Sequence, residues 1–331
     1  MNIFVSPLVR LYQGGSLLKN LLYNLGLFKS RNSPIPVISV GNISFGGSEK
    51  TPLAQHILSL LSENGFKPAL ISRGYKGSWE KSGGIVADHQ GIHANWRKAG
   101  DEPWLIARNV PGAGVLVGRD RHRSCLRAYQ HGYEIAVLDD GFQHRRLKRN
   151  LDIVLFNPGG NPFLREPVSS LKRAQIILHK SELSAKEKNL LHDKFPRQNF
   201  FEYSVKARGF FSPEGDQPVA RNFFSGKKIL AFCGIASPLR FFNLLQQEGL
   251  NIVSLIKFPD HHFYPISSLK KINSCFHKNK CQILLTTEKD MVKLQDRPEM
   301  KKLPLCYLKI ELILEKAFTT TLLSLASQWK T

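Results

Sequence analysis

Apolar and polar positions in this chain follow two alternating periods. Val37 to Val40 reads Val-Ile-Ser-Val, the pattern of a buried strand, and Leu53, Ile57, Leu58 and Leu61 then recur at helical spacing. The pairing repeats downstream. Strands are predicted over Lys67–Ser72, Gly114–Val117, Ile135–Asp140, Asp152–Phe156 and Arg173–Leu178, and helices over Trp104–Arg108 and Asp120–His131. Strand–helix alternation of this kind predicts an α/β fold, with a parallel sheet covered by helices on both faces.

Helical periodicity stops between Asn199 and Phe224. There Phe201 to Val205 alternates with period two, and Pro213 to Asp216 is rich in turn residues. A second α/β run begins at Lys227, with strands at Ile229–Phe232, Ile252–Phe258, Gln282–Thr286 and Leu305–Ile310. Helices are predicted over Pro238–Glu248, Ser267–His277 and Glu315–Trp329. The expected organisation is an N-terminal segment 1–31, a larger domain 32–222 and a smaller domain 223–331, whose last helix is free to pack back on the larger one.

The segment before the first strand differs from both. Ile3, Phe4, Val5, Leu8, Val9, Leu11 and Tyr12 precede a Gly14-Gly15 break, and Leu17, Leu18, Leu21, Leu22, Leu25, Leu27 and Phe28 follow it. Arg10, Lys19, Lys29 and Arg31 are interspersed. One or two basic amphipathic helices fit this pattern, either as an interfacial membrane anchor or as helices packed on the core. No apolar run approaches the roughly 20 residues of a membrane-spanning helix, and no cleavable signal layout is present.

The chain has 331 residues, 42% of them hydrophobic and 22% charged, an ordinary globular balance. Its charge is not ordinary: 47 Lys and Arg against 26 Asp and Glu leave a net +21. That excess favours anionic partners: nucleotides, nucleic acid or an anionic membrane surface. The five cysteines show no C-x-x-C pattern, which suggests a reducing compartment. Cys275, His277 and Cys281 lie close together, but lysines and asparagines crowd them, so a metal site is not expected there.

Candidate chemistry starts at the first strand. Gly41 to Gly47 is a glycine-rich turn, and Lys50, Thr51 and Pro52 open the helix after it. Strand, glycine loop, Lys-Thr and helix form the layout of a phosphate-binding loop. Loop N–H groups and the helix N-terminus face the anion, the lysine reaches the phosphates and the hydroxyl holds Mg²⁺. The loop candidates are Gly46, Gly47, Ser48, Glu49, Lys50 and Thr51. The pattern departs from G-x-x-x-x-G-K-[ST], with Ser44 and Glu49 at the two glycine positions. Glu49 has two readings: it repels the phosphates, or it pairs with Lys50 or a nearby arginine and is displaced by ATP.

The strand ending in Asp139-Asp140 is the second element. An apolar strand ending in Asp is where a P-loop protein holds Mg²⁺. Asp101, in Gly-Asp-Glu-Pro, reads locally as a cap of the helix that follows. His261-His262 could be a zinc pair, but no third ligand has suitable spacing. Arg165-Glu166 could be a surface ion pair.

Taken in order, these segments resemble the tetraacyldisaccharide 4′-kinase family, the lipid A 4′-kinases. The residues that carry the likeness are GNISFGGSEKTP at 41–52, SRGY at 72–75, GDEP at 100–103, VGRDR at 117–121 and LDDGFQHRRL at 138–147. LREP at 164–167, LKRA at 171–174, CGIASP at 233–238, FPDHH at 258–262 and TTEKD at 286–290 continue it. The resemblance implies a P-loop NTPase-like domain plus a smaller α/β domain, joined by a short β linker. It implies a peripheral enzyme on the cytoplasmic face of a bacterial inner membrane, expected as a monomer. The reaction implied is transfer of the γ-phosphoryl group of ATP to the 4′-hydroxyl of tetraacyldisaccharide 1-phosphate, forming lipid IVA. By the same likeness Lys50 holds phosphates, Thr51 and Asp139 hold Mg²⁺, and Asp101 is the base with His261 as partner. Glu102, Asp140, Gln143, Arg165 and Glu166 are the remaining polar residues around the substrates. Two other readings stand beside it: a basic P-loop NTPase acting on nucleic acid, although no nucleic-acid-binding motif is found, or a non-catalytic membrane nucleotide-binding protein, because of Glu49.

Overall fold

The structure, a computed structural model, describes residues 5–46, 49–158 and 163–329, with residues 5–12 by backbone alone. The chain divides into two compact units. The first comprises Met1–Ser204 with Leu312–Thr331, and the second Val205–Glu311. The chain therefore leaves the first unit inside one strand and returns inside another.

The first unit opens with one helix, α1 (Val5–Asn24), which runs through Gly14-Gly15 without a break. Its sheet strands and helices then alternate as β1 (Val37–Asn42), α2 (Lys50–Glu63), β2 (Pro68–Ser72), β3 (Gly84–Asp88) and β4 (Gly91–Ile92). Next come α3 (Trp96–Ala99), α4 (Asp101–Asn109), β5 (Gly114–Val117), α5 (Arg121–Gln130), β6 (Ile135–Leu138), β7 (Leu151–Leu155), β8 (Ile176–Lys180), α6 (Ala185–Lys194) and β9 (Asn199–Phe211). The expected strand at Arg173–Leu178 starts later, because a 3-10 turn occupies Val168–Arg173. The helix expected at Trp104 starts earlier and includes Asp101.

The strand order in this unit is β9-β8-β7-β1-β6-β2-β5-β3-β4. Pairing is parallel from β9 to β5, and β3 joins antiparallel to β5 and β4. Strand β1 lies between β6 and β7, where the order reverses. In open α/β sheets ligands bind outside the carboxyl ends of the strands at such a point. All six residues of β1 are buried, as expected of a strand covered on both faces. Helix α2 seals one face with Leu53, Ala54, Ile57, Leu58 and Leu61, all buried. Each of its large side chains contributes about 1.5–3 kcal/mol by leaving water. This packing anchors the helix whose first turn carries Lys50 and Thr51.

The second unit continues β9 from Val205 and adds β10 (Pro218–Val219), antiparallel to it. It then holds β11 (Ile229–Cys233), α7 (Pro238–Gln247), β12 (Ile252–Lys257), α8 (Ile266–Lys278), β13 (Ile283–Thr287), α9 (Glu288–Leu294), α10 (Pro298–Lys301) and β14 (Leu305–Leu314). The last strand begins in this unit and ends in the first, followed there by α11 (Lys316–Ser327). The parallel order β12-β11-β13-β14 has an apolar cluster on each face. One cluster centres on Phe232, Tyr264 and Tyr307, the other on Phe241, Phe242 and Leu285.

Candidate active site

The segments that follow β1, β6 and β7 carry Lys50, Asp140 and Arg165, which meet in the first unit. Strand β1 leads into the glycine loop, and Gly41 near its end has no room for a side chain. A Cβ there would meet the Phe142 Cβ at 2.4 Å. This close approach sets the turn after β6 against the start of the phosphate-binding loop. Gly47 and Ser48 of that loop lie outside the described residues.

Lys50 begins α2. Its Nζ lies 3.1 Å from Asp140 Oδ1 and donates to Asn42 Oδ1 at 3.2 Å. Asp140 also accepts from Arg165, whose Nη1 reaches both carboxylate oxygens at 2.9 and 2.8 Å. Burial pushes the Asp140 carboxyl up, but the Lys50 ammonium and the Arg165 guanidinium outweigh it and hold the group down at about 2. Asp140 therefore stays an anion between two cations.

Asp139 is its opposite. It is buried, and its Oδ1 has no hydrogen-bond partner. Burial first, then the nearby Glu102 and Asp140 charges, push its carboxyl up to about 7. A buried carboxylate oxygen lacking a donor suits a hard cation, and Mg²⁺ takes oxygen ligands of this kind. Thr51, in the first turn of α2, adds a hydroxyl of the type P-loop proteins use for that ion. The residues present fit Mg²⁺. Among the described residues, no group of three or more His, Cys, Asp or Glu side chains is arranged to hold a metal ion.

Glu49 has a left-handed backbone, with φ 50° and ψ 21°. This conformation explains why a glycine is usual at that place, since a Cβ there is strained. The Tyr203 hydroxyl donates to Glu49 Oε2 at 3.4 Å and in turn accepts from Asn157 Nδ2 at 2.9 Å. Asp140 shares the left-handed region at φ 51°. Backbone strain of this sort concentrates at functional sites.

Asp101 is buried and sits inside the first turn of α4, while Gly100, at φ 89°, takes the capping position. The expected capping role is corrected in that respect. Asp101 Oδ1 accepts the N–H of Glu102 at 3.0 Å, a contact within the turn itself. Gln143 donates to the backbone oxygen of Asn42 at 2.8 Å, joining the turn after β6 to the phosphate-binding loop. Glu166 is no surface partner of Arg165. It is buried, and its Oε2 accepts from Arg173 Nη2 at 2.6 Å and from Asn20 Nδ2 of α1 at 2.9 Å.

Helix α1 thus has a polar inner side. Gln13 donates to the Leu164 oxygen, Lys19 to the Gln143 oxygen, and Arg145 reaches Asn20 and Asn24. Its other side exposes Leu17, Leu18, Leu21 and, just beyond the helix, Leu25. No described helix is long and apolar enough to cross a membrane.

Two residues of this region escaped the sequence reading. Asn42 ends a buried strand, an unusual place for asparagine, and receives both Lys50 and Gln143. Arg121 starts α5 just beyond β5 and is buried, with its Nε unpartnered. Burial lowers its pKa, and the Asp140 and Asp139 charges oppose that effect. The signal available was a basic residue directly after an apolar strand, on the same sheet edge as Asp139.

His261 belongs to the second unit, in the turn between β12 and α8. Its Nε2 lies 3.3 Å from Lys289 Nζ. His262 turns elsewhere: its ring stacks on Phe258 at 4.7 Å and its Nε2 pairs with Ser268 Oγ at 2.8 Å. The two histidines do not form a metal pair.

The family model for tetraacyldisaccharide-1-P 4′-kinase matches residues 1–327. A tetraacyldisaccharide 4′-kinase of Desulfotalea psychrophila is 40% identical over 310 residues, covering 87% of this chain and 86% of that protein. One from Syntrophus aciditrophicus is 36% identical over 323 residues, covering 91% and 86%. Among solved structures, the "apo" form of LpxK from Aquifex aeolicus in complex with ATP superposes with a TM-score of 0.75 at 28% identity, over 99% of this chain and 98% of that one. Neither the nucleic-acid reading nor the non-catalytic reading draws support from these likenesses. With its α/β fold and a full-length match, the chain belongs to the tetraacyldisaccharide-1-P 4′-kinase family.

Proposed function

We propose that this kinase transfers the γ-phosphoryl group of ATP to the 4′-hydroxyl of tetraacyldisaccharide 1-phosphate, forming lipid IVA, with the following division of labour. The observation that carries it is Lys50 poised beside Asp140 and the buried Asp139. Gly46 to Lys50 and the N-terminus of α2 bind the phosphates of ATP, where helix-end N–H groups favour anions. Lys50 leaves Asp140 for the phosphates when ATP arrives. Thr51 and Asp139 would hold Mg²⁺, which when bound neutralises phosphate charge. Asp101 takes the proton of the sugar hydroxyl, and His261 is its partner. Glu102, Asp140, Gln143, Arg165 and Glu166 provide the remaining polar surroundings. Phosphoryl transfer needs this positioning and charge neutralisation more than covalent chemistry.

The acceptor carries four acyl chains, so its natural medium is a membrane surface. The exposed leucines of α1 suit insertion into one leaflet, making the protein peripheral. The net +21 charge suits an anionic leaflet such as the cytoplasmic face of a bacterial inner membrane, where each nearby Lys or Arg contributes about 1 kcal/mol.

The test is label transfer from γ-labelled ATP to the lipid disaccharide in mixed micelles. Asp101→Ala should lower kcat by roughly 10²–10⁴ with little change in the KM for ATP. His261→Ala should cost less, and the double variant should lose less than the product of the two. Fully multiplicative losses would separate the two residues, and an unaltered kcat in Asp101→Ala would remove the base.

A further inference from the structure

Three distant segments of the second unit, Cys233–Pro238, Phe258–His262 and Thr286–Asp290, meet around the His261 ring. Asp290, fully buried, is the centre of the scaffold. Its Oδ2 accepts the Gly234 N–H at 2.9 Å and the Thr287 hydroxyl at 2.7 Å. The Gly234 carbonyl then accepts the His261 N–H at 3.1 Å. The approach is close: a Cβ on Gly234 would lie 3.0 Å from His262 Cβ and 3.1 Å from the Pro259 oxygen. His261 itself is held at φ 56°, a strained conformation for a residue with a Cβ. The same scaffold anchors the first turn of α9, from which Lys289 extends, so both ends of the Lys289–His261 contact are braced.

We propose that Lys289 is a positioning residue that fixes the ring tautomer and orientation of His261. This deepens the proposed function and rests on its reading of His261 as a participant in the reaction. The argument is one of donors and acceptors. A lysine ammonium donates only, so its 3.3 Å contact is a hydrogen bond only when His261 Nε2 is unprotonated. In the neutral ring the proton then resides on Nδ1, which acts as a donor. The competing arrangement puts the proton on Nε2 and turns it toward Asp260. That carboxylate lies 3.7 Å from Nε2, beyond hydrogen-bond distance. The oxygen nearest Nε2 is Oδ2; Oδ1 accepts the His261 backbone N–H at 3.0 Å and stands 3.7 Å from Lys289 Nζ, where it helps to hold the ammonium in place. Which nitrogen of a catalytic histidine carries the proton is set by the bond the other nitrogen makes.

The experiment combines nitrogen-15 NMR of histidine-labelled full-length protein with steady-state kinetics. The His261 ring signals are identified by their absence in His261→Gln. In the wild type, Nε2 should show an unprotonated, acceptor-type shift and Nδ1 a protonated one. Lys289→Met keeps the length and apolar stem of the side chain, and Lys289→Arg keeps the donor. The Met variant should move toward the Nε2–H tautomer and lose about tenfold in kcat, the scale of a lost supporting partner, at unchanged KM for ATP. The Arg variant should retain the Nδ1–H tautomer and most of the rate. A ring whose tautomer is the same with Met as with Lys overturns the proposal. So does a tautomer change that leaves kcat intact while His261→Gln lowers it. If the tautomer follows Lys289 but neither variant nor His261→Gln affects kcat, the participation of His261 in the reaction fails, and the tautomer assignment stands.

Discussion

Lys50 Nζ and Asp140 Oδ1 form an ion pair of 3.1 Å. The lysine also donates to Asn42 Oδ1 at the end of β1, and the pair balances a carboxylate that Arg165 also holds. On the proposed phosphate role of Lys50, a phosphate entering the loop would compete with Asp140 for the same ammonium.

Lys50→Ala should lower turnover by roughly 10²–10³, the cost of removing one donor to transition-state charge. Arg165 remains on Asp140, so the fold should persist, with an unchanged circular-dichroism melting curve. Retention of more than about a tenth of wild-type turnover would contradict the phosphate role of the lysine.

Asp139 should make Mg²⁺-dependent turnover sensitive to pH near neutrality. Its carboxyl is raised from the ordinary 3.8 to about 7, by burial first and then by Glu102 and Asp140. The raised value means that protonation favours the folded state. That stabilisation is complete below the unfolded value and is lost as pH rises through about 7. Metal binding requires the ionised form and releases the proton. The apparent affinity for Mg²⁺ should therefore weaken by about tenfold per pH unit below the Asp139 value. Titrating turnover with Mg²⁺ at pH values on either side of neutrality checks this. Equal Mg²⁺ dependence on both sides would remove Asp139 from the metal site.

Glu49→Gly should lower the KM for ATP severalfold and leave the KM for lipid alone. Two effects point the same way. At φ 50° a Cβ costs about 1–2 kcal/mol, which glycine relieves. A carboxylate at an assumed ~8 Å, with an effective dielectric of about 20, repels each phosphate charge by roughly 2 kcal/mol before screening. The Tyr203 contact at 3.4 Å is the opposing term, since it ties Glu49 to β9. ATP titrations at saturating lipid decide between them, and an unchanged or raised KM in the glycine variant would show that the tether dominates.

The outward side of α1 should govern membrane partitioning. Leu18 is 59% exposed and Leu25 63%, whereas Asn20 is 8% exposed and bonded to Glu166. Leu18→Glu combined with Leu25→Glu removes about 1.5–3 kcal/mol of apolar insertion per residue and adds charge repelled by an anionic leaflet. Sedimentation with vesicles containing phosphatidylglycerol should show at least about tenfold weaker binding. The inner hydrogen bonds are untouched, so the melting temperature should hold. Undiminished binding would assign membrane contact to another surface.

Short-range pattern determined much of this molecule. The apolar run before Gly41 and the spacing of Leu53, Ile57, Leu58 and Leu61 specify a strand, a turn and a helix, because each depends on which face of a few consecutive residues must leave water. The placement of Lys50 and Thr51 at the start of α2 and of Asp139 just past β6 follows from the same local order. Pairing partners were illegible, since they are chosen by topology. Glu166 meets Asn20 across 146 positions, and Lys19 meets the Gln143 carbonyl across 124. Nothing near either residue in sequence encodes its partner. The same holds for Arg121, whose burial beside Asp139 and Asp140 exists only once β5 and β6 flank β2. The Gly14-Gly15 break left α1 open to two readings. Tertiary structure chose one continuous helix, because hydrogen bonds from Gln13 on one side of the glycines and from Lys19 and Asn20 on the other hold both halves to the same body.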